Sequence, residues 1–126
     1  MKIGIAGLGG LGSNVAMMLV RSGVEELVLV DFDCVEESNL NRQIYFRKHI
    51  GMKKTEACSE ILKMINPDVK LELRDVRLSE KNIPEIFKDC KIVSEALDSA
   101  ESKAVLAETV LSEMKDVYVV SGCGIS

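Results

Sequence analysis

A glycine-rich turn near the start of the chain is the first feature suited to chemistry. Residues 7–13 read Gly-Leu-Gly-Gly-Leu-Gly-Ser, which meets the pattern G-x-G-x-x-G at Gly7, Gly9 and Gly12, with Gly10 between them. In that pattern the first glycine permits a tight turn, the second lets backbone amides approach a phosphate, and the third allows close packing of the next helix. The helix start offers free N–H groups and partial positive charge to an anion. The turn therefore predicts nucleotide binding, with a merely structural turn as the alternative.

Two aspartates follow the next apolar run. Asp31 lies at about the separation from the glycines at which an acidic residue binds a ribose hydroxyl. A solvated aspartate at a strand end is the alternative. Asp33 has a weaker claim, because aspartates are common in turns. With these residues alone, an NAD-binding enzyme fits as well as an ATP-binding one.

A polar stretch further along adds groups that a dinucleotide enzyme does not need. It comprises Asn39, Asn41, Arg42 and Gln43, with Lys54 at the start of a later helix and Asp98 and Ser99 after the fourth strand. Arginine offers a rigid fork to phosphate oxygens and lysine a mobile point charge. Magnesium is commonly held by one or two carboxylates plus the substrate's phosphates. Together these residues predict a site for a triphosphate and Mg²⁺, with Asp98 as the metal ligand.

Each of these residues also has an ordinary structural interpretation. Arg42 could be a surface arginine, and Lys54 a first-turn helix residue. Because Lys53 is adjacent, the register of the phosphate lysine is uncertain by one position, although counting from Gly51 selects Lys54. Asp98 or Ser99 could cap the last helix, which is compatible with a role at the site. We expect His49, the single histidine, to be a surface loop residue.

The elements that must position these side chains alternate along the chain. Short apolar runs bounded by charge or turn residues are typical of buried parallel strands, and residues repeating at helical spacing lie between them. The pattern predicts strands near 2–7, 26–31, 69–75, 91–95 and 117–121, and helices near 11–22, 53–65, 83–88 and 99–114. Such alternation predicts an α/β fold: a Rossmann-like, open, mostly parallel β-sheet with helices on both faces.

Composition limits the function classes. The chain has 126 residues, 47% hydrophobic and 29% charged, which fits one folded domain. A net charge of −4 without a basic stripe argues against DNA as a partner. We expect no membrane span or signal peptide, and a cytoplasmic location. The four cysteines lack zinc spacing and indicate reduced, mostly buried thiols; Cys123 is interpreted as a structural thiol, not a nucleophile.

The motifs, taken together and in order, resemble the ThiF/MoeB/ubiquitin-activating superfamily, most closely its short ThiF-like proteins of thiamine biosynthesis. The resemblance covers essentially the whole chain. It rests on Gly-x-Gly-Gly-x-Gly-Ser, Val30-Asp31-Phe32-Asp33, Ser38-Asn39-Leu40-Asn41-Arg42-Gln43, Ile50-Gly51 with Lys54, and Ile65-Asn66-Pro67.

The resemblance implies ATP-dependent adenylation of the C-terminal carboxylate of a ubiquitin-like sulfur-carrier protein that ends in Gly-Gly. Residues 1–126 would form the ATP-binding adenylation domain, the N-terminal part of a longer chain, and would act as a homodimer. By the same carry-over the glycine turn and Asp31 hold adenosine and ribose. Asn39, Arg42 and Lys54 contact phosphates, and Asp98 supports magnesium.

The sequence also departs from the family pattern. The first strand begins without the upstream arginine that several members direct at the triphosphate, and Leu97 and Ser99 flank Asp98 where threonine and asparagine are usual. Three rival functions therefore stay open. They are an NAD-binding oxidoreductase fragment, a tRNA threonylcarbamoyladenosine dehydratase-like enzyme, and a nucleotide-binding scaffold without turnover.

Overall fold

A computed structural model describes residues 1–122, and these form one five-stranded sheet in which every neighbouring pair is parallel. The strand order is β3-β2-β1-β4-β5. The strands are β1 (Lys2–Ala6), β2 (Glu26–Val30), β3 (Lys70–Arg74), β4 (Ile92–Glu95) and β5 (Tyr118–Ser121). The helices are α1 (Gly10–Arg21), α2 (Lys54–Ile65), α3 (Ile83–Ile86) and α4 (Ala100–Glu113).

Helices cover both faces of the sheet because alternate strand residues point to opposite sides. Leu27 and Leu29 of β2 pack in the core with α1 and α2, whereas Val28 and Val30 pack in a second core with α3 and α4. All four of these side chains are almost completely buried. A strand that is apolar on both faces is what a sheet covered on both sides requires, and the predicted fold class is confirmed.

The strand order creates a crevice at the carboxyl ends of the strands. From β1 the chain goes outward to β2 and β3, and then returns to the other side of β1 as β4. The loops after β1 and β4 consequently diverge at the carboxyl ends of adjacent strands, where open α/β sheets bind ligands. The segments after β1, β2 and β4, which carry the candidate residues, all lie at these carboxyl ends.

The predicted element bounds agree with the structure within about two residues. Gly23, just after α1, has φ +101°, a conformation that favours glycine at a helix end. Sequence periodicity did not predict two short 3-10 turns, Glu37–Asn39 and Arg47–His49. Among the described residues no helix has both the length and the apolar character that crossing a bilayer requires.

The expectation for His49 is wrong. Its side chain is fully buried: Nδ1 accepts a hydrogen bond from the Phe46 N–H (2.9 Å), and Nε2 lies 3.2 Å from Glu60 Oε1. The histidine is buried because both ring nitrogens find partners within the protein. Cys58 and Cys90 are buried free thiols and Cys34 is exposed, whereas Cys123 lies outside the described residues.

Candidate nucleotide-binding site

A cavity of about 390 Å³ opens at the carboxyl ends of the strands. Its walls come from the loops after β1, β2, β3 and β4 and from the start of α2. Most of the predicted site residues line it: Gly7, Gly9, Asp31, Asp33, Asn39, Arg42, Gln43, Lys54, Asp98 and Ser99. Gly10, Gly12 and Asn41 do not line it.

The glycine turn is closely packed against its neighbours. Gly7 has φ +98°, and a Cβ there would lie 2.5 Å from the Ala96 carbonyl oxygen. A Cβ on Gly12, within α1, would lie 1.8 Å from the Gly7 carbonyl oxygen. Gly10 begins α1, and no side chain caps that helix. The first-turn amides of α1 are therefore without a side-chain acceptor, as an anion site at a helix N-terminus needs.

Asp31 connects the glycine turn to the loop after β2. Its two carboxylate oxygens accept hydrogen bonds from the Leu8 N–H (2.7 Å) and the Asp33 N–H (2.8 Å). Burial raises the pKa of Asp31, while those hydrogen bonds and the charge of Lys54 oppose the rise. A carboxylate has about four acceptor positions, so lone pairs remain for ribose hydroxyls.

Three side chains fasten the polar loop to the glycine turn. Asn14 Nδ2 donates to the Arg42 carbonyl (3.0 Å), the Tyr45 hydroxyl donates to the Leu8 carbonyl (2.7 Å), and Ser13 Oγ accepts from the Ile44 N–H (3.4 Å). Tyr45 is buried, so its hydrogen bond is shielded from water. Residues distant in sequence are thereby held around one cavity.

Arg42 projects from this loop with its guanidinium partly anchored. Its Nη1 donates to the Ser38 carbonyl (2.9 Å) and to Asn41 Oδ1 (3.1 Å). Asn41, which does not line the cavity, thus helps to orient the arginine. The carbonyl of Asn39 accepts hydrogen bonds from the N–H groups of Arg42 and Gln43, which fixes the turn.

Two buried polar groups of the cavity wall lack ordinary partners. Gln43 is 7% exposed, and its Oε1 is the one buried side-chain atom without a hydrogen bond among the described residues. The Lys54 residue is also 7% exposed; its ammonium keeps some contact with solvent at the cavity and forms no hydrogen bond or ion pair with any residue in the range 1–122. Buried polar groups are nearly always paired, so both indicate a ligand that would supply the missing partners.

The geometry also distinguishes Lys54 from Lys53. Lys53 precedes α2 with half of its side chain exposed and forms an ion pair with Asp75 at 3.0 Å. Lys54 lines the cavity, and its N–H donates to the Asp33 carbonyl at 3.0 Å. The structure therefore supports the register in which Lys54 is the phosphate-binding candidate.

Asp98 and Ser99 lie at the exposed rim of the cavity. Ser99 is the N-cap of α4, since its Oγ accepts a hydrogen bond from the Ser102 N–H at 3.0 Å. Asp98 does not cap the helix and lines the cavity. The capping alternative for Asp98 is therefore replaced by Ser99, which leaves the aspartate carboxylate available to a ligand.

Sequence reasoning missed one prominent pair in the wall. The guanidinium of Arg77 stacks over the Phe32 ring, with its central carbon 4.2 Å from the ring centroid. Both residues line the cavity, next to Val76 and Leu78. The rule that ligands bind at the carboxyl ends of parallel strands could have found Arg77, because it follows β3 by only a few residues.

Comparison with protein families matches residues 1–126, the whole chain, to the ThiF family. The chain belongs to the ThiF family. The adenylyltransferase and sulfurtransferase UBA4 of Candida glabrata is 36% identical over 124 residues, which are 98% of this chain and 29% of that protein. The molybdopterin-synthase adenylyltransferase of Haemophilus influenzae is 36% identical over 125 residues, 98% of this chain and 51% of that protein.

Solved structures show the same family architecture. The E. coli tRNA N6-threonylcarbamoyladenosine dehydratase TcdA, in complex with ATP, superposes with a TM-score of 0.90 at 30% identity. The match covers 98% of this chain and 51% of TcdA. The ThiF-family chain thus spans between about a quarter and a half of the proteins it matches.

Proposed function

We propose that this ThiF-family chain binds ATP in the cavity and forms the adenylation domain, within residues 1–126, of an adenylyltransferase. Its substrate would be the C-terminal carboxylate of a ubiquitin-like sulfur-carrier protein, a ThiS-like carrier of thiamine biosynthesis. The observation that carries the proposal is Lys54, a largely buried residue that lines the same cavity as the glycine turn and whose ammonium has no hydrogen-bonding partner among the described residues. The names of the relatives support the reaction class.

The arrangement suits phosphoryl chemistry by positioning and charge. A carrier carboxylate oxygen would bond to the α-phosphorus while the bond from that phosphorus to the α,β-bridging oxygen breaks. Pyrophosphate leaves with the electron pair, and an acyl-adenylate forms. No proton moves, so no general base is needed. Arg42 and Lys54 would stabilise the charge that develops on the α-phosphate and on the departing pyrophosphate.

The other wall residues would bind and orient the nucleotide. The first-turn amides of α1 would receive phosphate oxygens, and Asp31 would accept hydrogen bonds from the ribose. Gln43 Oε1, which lacks a donor in the protein, would accept one from the ligand or its water. These contacts hold the α-phosphorus where a carboxylate can approach it in line.

Magnesium fits this cavity as an ion that ATP brings with it. Among residues 1–122 no three His, Cys, Asp or Glu side chains are grouped to hold a metal ion. Magnesium bound to phosphates often needs only one or two protein carboxylates, and Asp98 supplies one at the rim. The ion would draw charge from the phosphate oxygens.

The homodimer, the cytoplasmic location and the carrier's identity remain predictions.

A test of the substrate is pyrophosphate exchange into ATP, measured with a carrier ending in Gly-Gly. The matched control is the same carrier with its C-terminal carboxylate converted to an amide. We expect exchange with the free carboxylate and none with the amide. Absence of exchange with both carriers would contradict the proposed substrate.

A second candidate is favoured by the likeness to TcdA. Here the activated carboxylate would belong to a modified adenosine of tRNA. The net charge of −4 speaks against a nucleic-acid partner, because phosphate backbones are bound mainly by basic surfaces. ATP consumption that depends on threonylcarbamoyl-modified tRNA, and not on a carrier protein, would select this candidate.

Isothermal titration calorimetry with ATP and with NAD distinguishes the adenylation hypothesis from the NAD-binding alternative. ATP with Mg²⁺ should bind, because Arg42 and Lys54 lie in the cavity wall where a triphosphate would need them. NAD has only a pyrophosphate and should bind more weakly. Clear binding of NAD with none of ATP would remove the adenylation hypothesis.

A further inference from the structure

A buried ion pair lies just behind the cavity, outside the residues assigned above. Glu95, the last residue of β4, is 3% exposed. Its Oε2 accepts hydrogen bonds from Lys103 Nζ (2.7 Å) and from the Leu97 N–H (2.8 Å). One carboxylate oxygen therefore joins the end of β4, the loop after it and the first turn of α4.

The loop that Glu95 holds is part of the cavity wall. Ala96, Leu97, Asp98 and Ser99 all line the cavity. The Ala96 N–H donates to the Ala6 carbonyl (2.8 Å), and the Ala96 carbonyl lies where a Cβ on Gly7 would collide with it. A displacement of this loop would consequently move Asp98 within the cavity wall.

The carboxylate is held in its charged form despite its burial. Burial acts to raise the pKa of Glu95, but hydrogen bonds from Lys103, Leu97 N–H and Ser121 outweigh it and lower the pKa. A buried charge that lost its partner would be strongly unfavourable, so the pair favours one loop position. The Lys103 side chain is 40% exposed and can reach water if the pair is broken.

We propose that the Glu95–Lys103 ion pair is a positioning device for ATP. It fixes the β4–α4 loop so that Asp98 presents one geometry to the β- and γ-phosphates and their magnesium. This inference rests on the proposed function, because it assumes ATP in the cavity. Neither residue touches the nucleotide in this account, so both act through the loop.

The test compares ATP with AMP, since only ATP extends to the β- and γ-phosphates. In Glu95→Gln an amide oxygen in the position of Oε2 can still accept from the Leu97 N–H and from Lys103, but the negative charge that attracts the ammonium is lost. We expect the Kd for ATP with Mg²⁺ to rise about tenfold and the Kd for AMP to change much less. Lys103→Met should raise the Kd for ATP in the same way. Lys103→Arg should keep the Kd for ATP close to that of the unsubstituted chain, because arginine retains the positive charge.

A matched control is Lys2→Met, which breaks the partly buried Lys2–Glu72 ion pair (3.2 Å), whose residues do not line the cavity. It should leave the ratio of the ATP and AMP affinities unchanged. Hydrogen exchange of the Leu97 amide gives a second reading that needs no nucleotide, and it should accelerate in Glu95→Gln.

The outcomes separate the inference from the proposed function. Equal weakening of ATP and AMP in Glu95→Gln, or a lower melting temperature with unchanged binding, would overturn the positioning role while leaving ATP binding intact. Failure of the unsubstituted chain to bind ATP would overturn the proposed function and this inference with it.

Discussion

At the scale of single residues, the two cationic side chains of the proposed site differ in how the fold holds them. Arg42 is oriented by hydrogen bonds to Ser38 and Asn41, whereas Lys54 is buried with no hydrogen-bonding partner among the described residues. An anchored arginine contributes directional hydrogen bonds to phosphate oxygens, and a buried lysine contributes a charge that little water screens. In the proposed reaction, both properties would stabilise the charge that develops during pyrophosphate release.

Arg42→Ala and Lys54→Ala should each lower the rate of pyrophosphate exchange by about 10²-fold, because each removes a charge contact to the transition state. The circular dichroism spectrum should stay that of the folded protein. The matched control is Lys53→Ala, which removes a neighbouring lysine that is half exposed and paired with Asp75. Exchange at the normal rate in both Arg42→Ala and Lys54→Ala would refute their assignment.

The sequence alone predicted Arg42 and Lys54 as site residues, and both line the cavity, but it did not predict their surroundings. Their motif spacing predicted the site, and the position of Gly51 selected Lys54 over Lys53. The stacking of Arg77 on Phe32 and the pairing of Glu95 with Lys103 left no such signal. Each depends on how a side chain meets a neighbour, which spacing does not encode.

At the scale of elements, the loop after β2 is fixed by contacts with the glycine turn. Tyr45→Phe deletes the hydroxyl that donates to the Leu8 carbonyl, and leaves that buried oxygen without its side-chain donor. We expect the free energy of unfolding to fall by about 1–3 kcal/mol, measured by urea denaturation. Tyr118→Phe is the control, since Tyr118 is 74% exposed on β5. Equal effects of the two substitutions on the free energy of unfolding would contradict the proposed role of the Tyr45–Leu8 hydrogen bond in fixing the loop.

The end of β4 predicts a pH dependence of stability. The pKa of Glu95 is lowered in the folded state from an ordinary value of 4.5, so the ion pair contributes stability above pH 4.5. That contribution is lost as the pH falls below 4.5 through the folded-state pKa. Other glutamates whose pKa is lowered also contribute stability that is lost on acidification. The contribution of Glu95 is therefore isolated by comparison with the Glu95→Gln variant.

Glu95→Gln should lose less stability between pH 5 and pH 3 than the unsubstituted chain, because the amide does not titrate. Urea denaturation at a series of pH values measures the difference. Identical acid dependence in the two proteins would show that the carboxylate is not held in its charged form.

The regular elements were predictable because their burial leaves a periodic trace. Leu27–Val30 is apolar on both faces, as a central parallel strand must be. The turn that ends at His49 was not predictable, because it depends on Phe46 and on Glu60, eleven residues away. A single polar residue carries no period, so its burial cannot be inferred from a pattern.

At the scale of the whole molecule, the strand order explains why separate motifs form one site. Because β1 lies between β2 and β4, the loops after these three strands all lie at the carboxyl ends of adjacent strands and border one cavity. The ThiF-family relatives extend well beyond the region that this chain matches. The residues of the proposed adenylation site all lie within residues 1–122.

The most direct test is a crystal structure of the chain with a non-hydrolysable ATP analogue and Mg²⁺. The account predicts the triphosphate in the cavity, with Arg42 and Lys54 within hydrogen-bonding distance of its oxygens and the ribose against Asp31. A nucleotide bound in the cavity with both cationic side chains directed into solvent, away from every phosphorus atom, would contradict it.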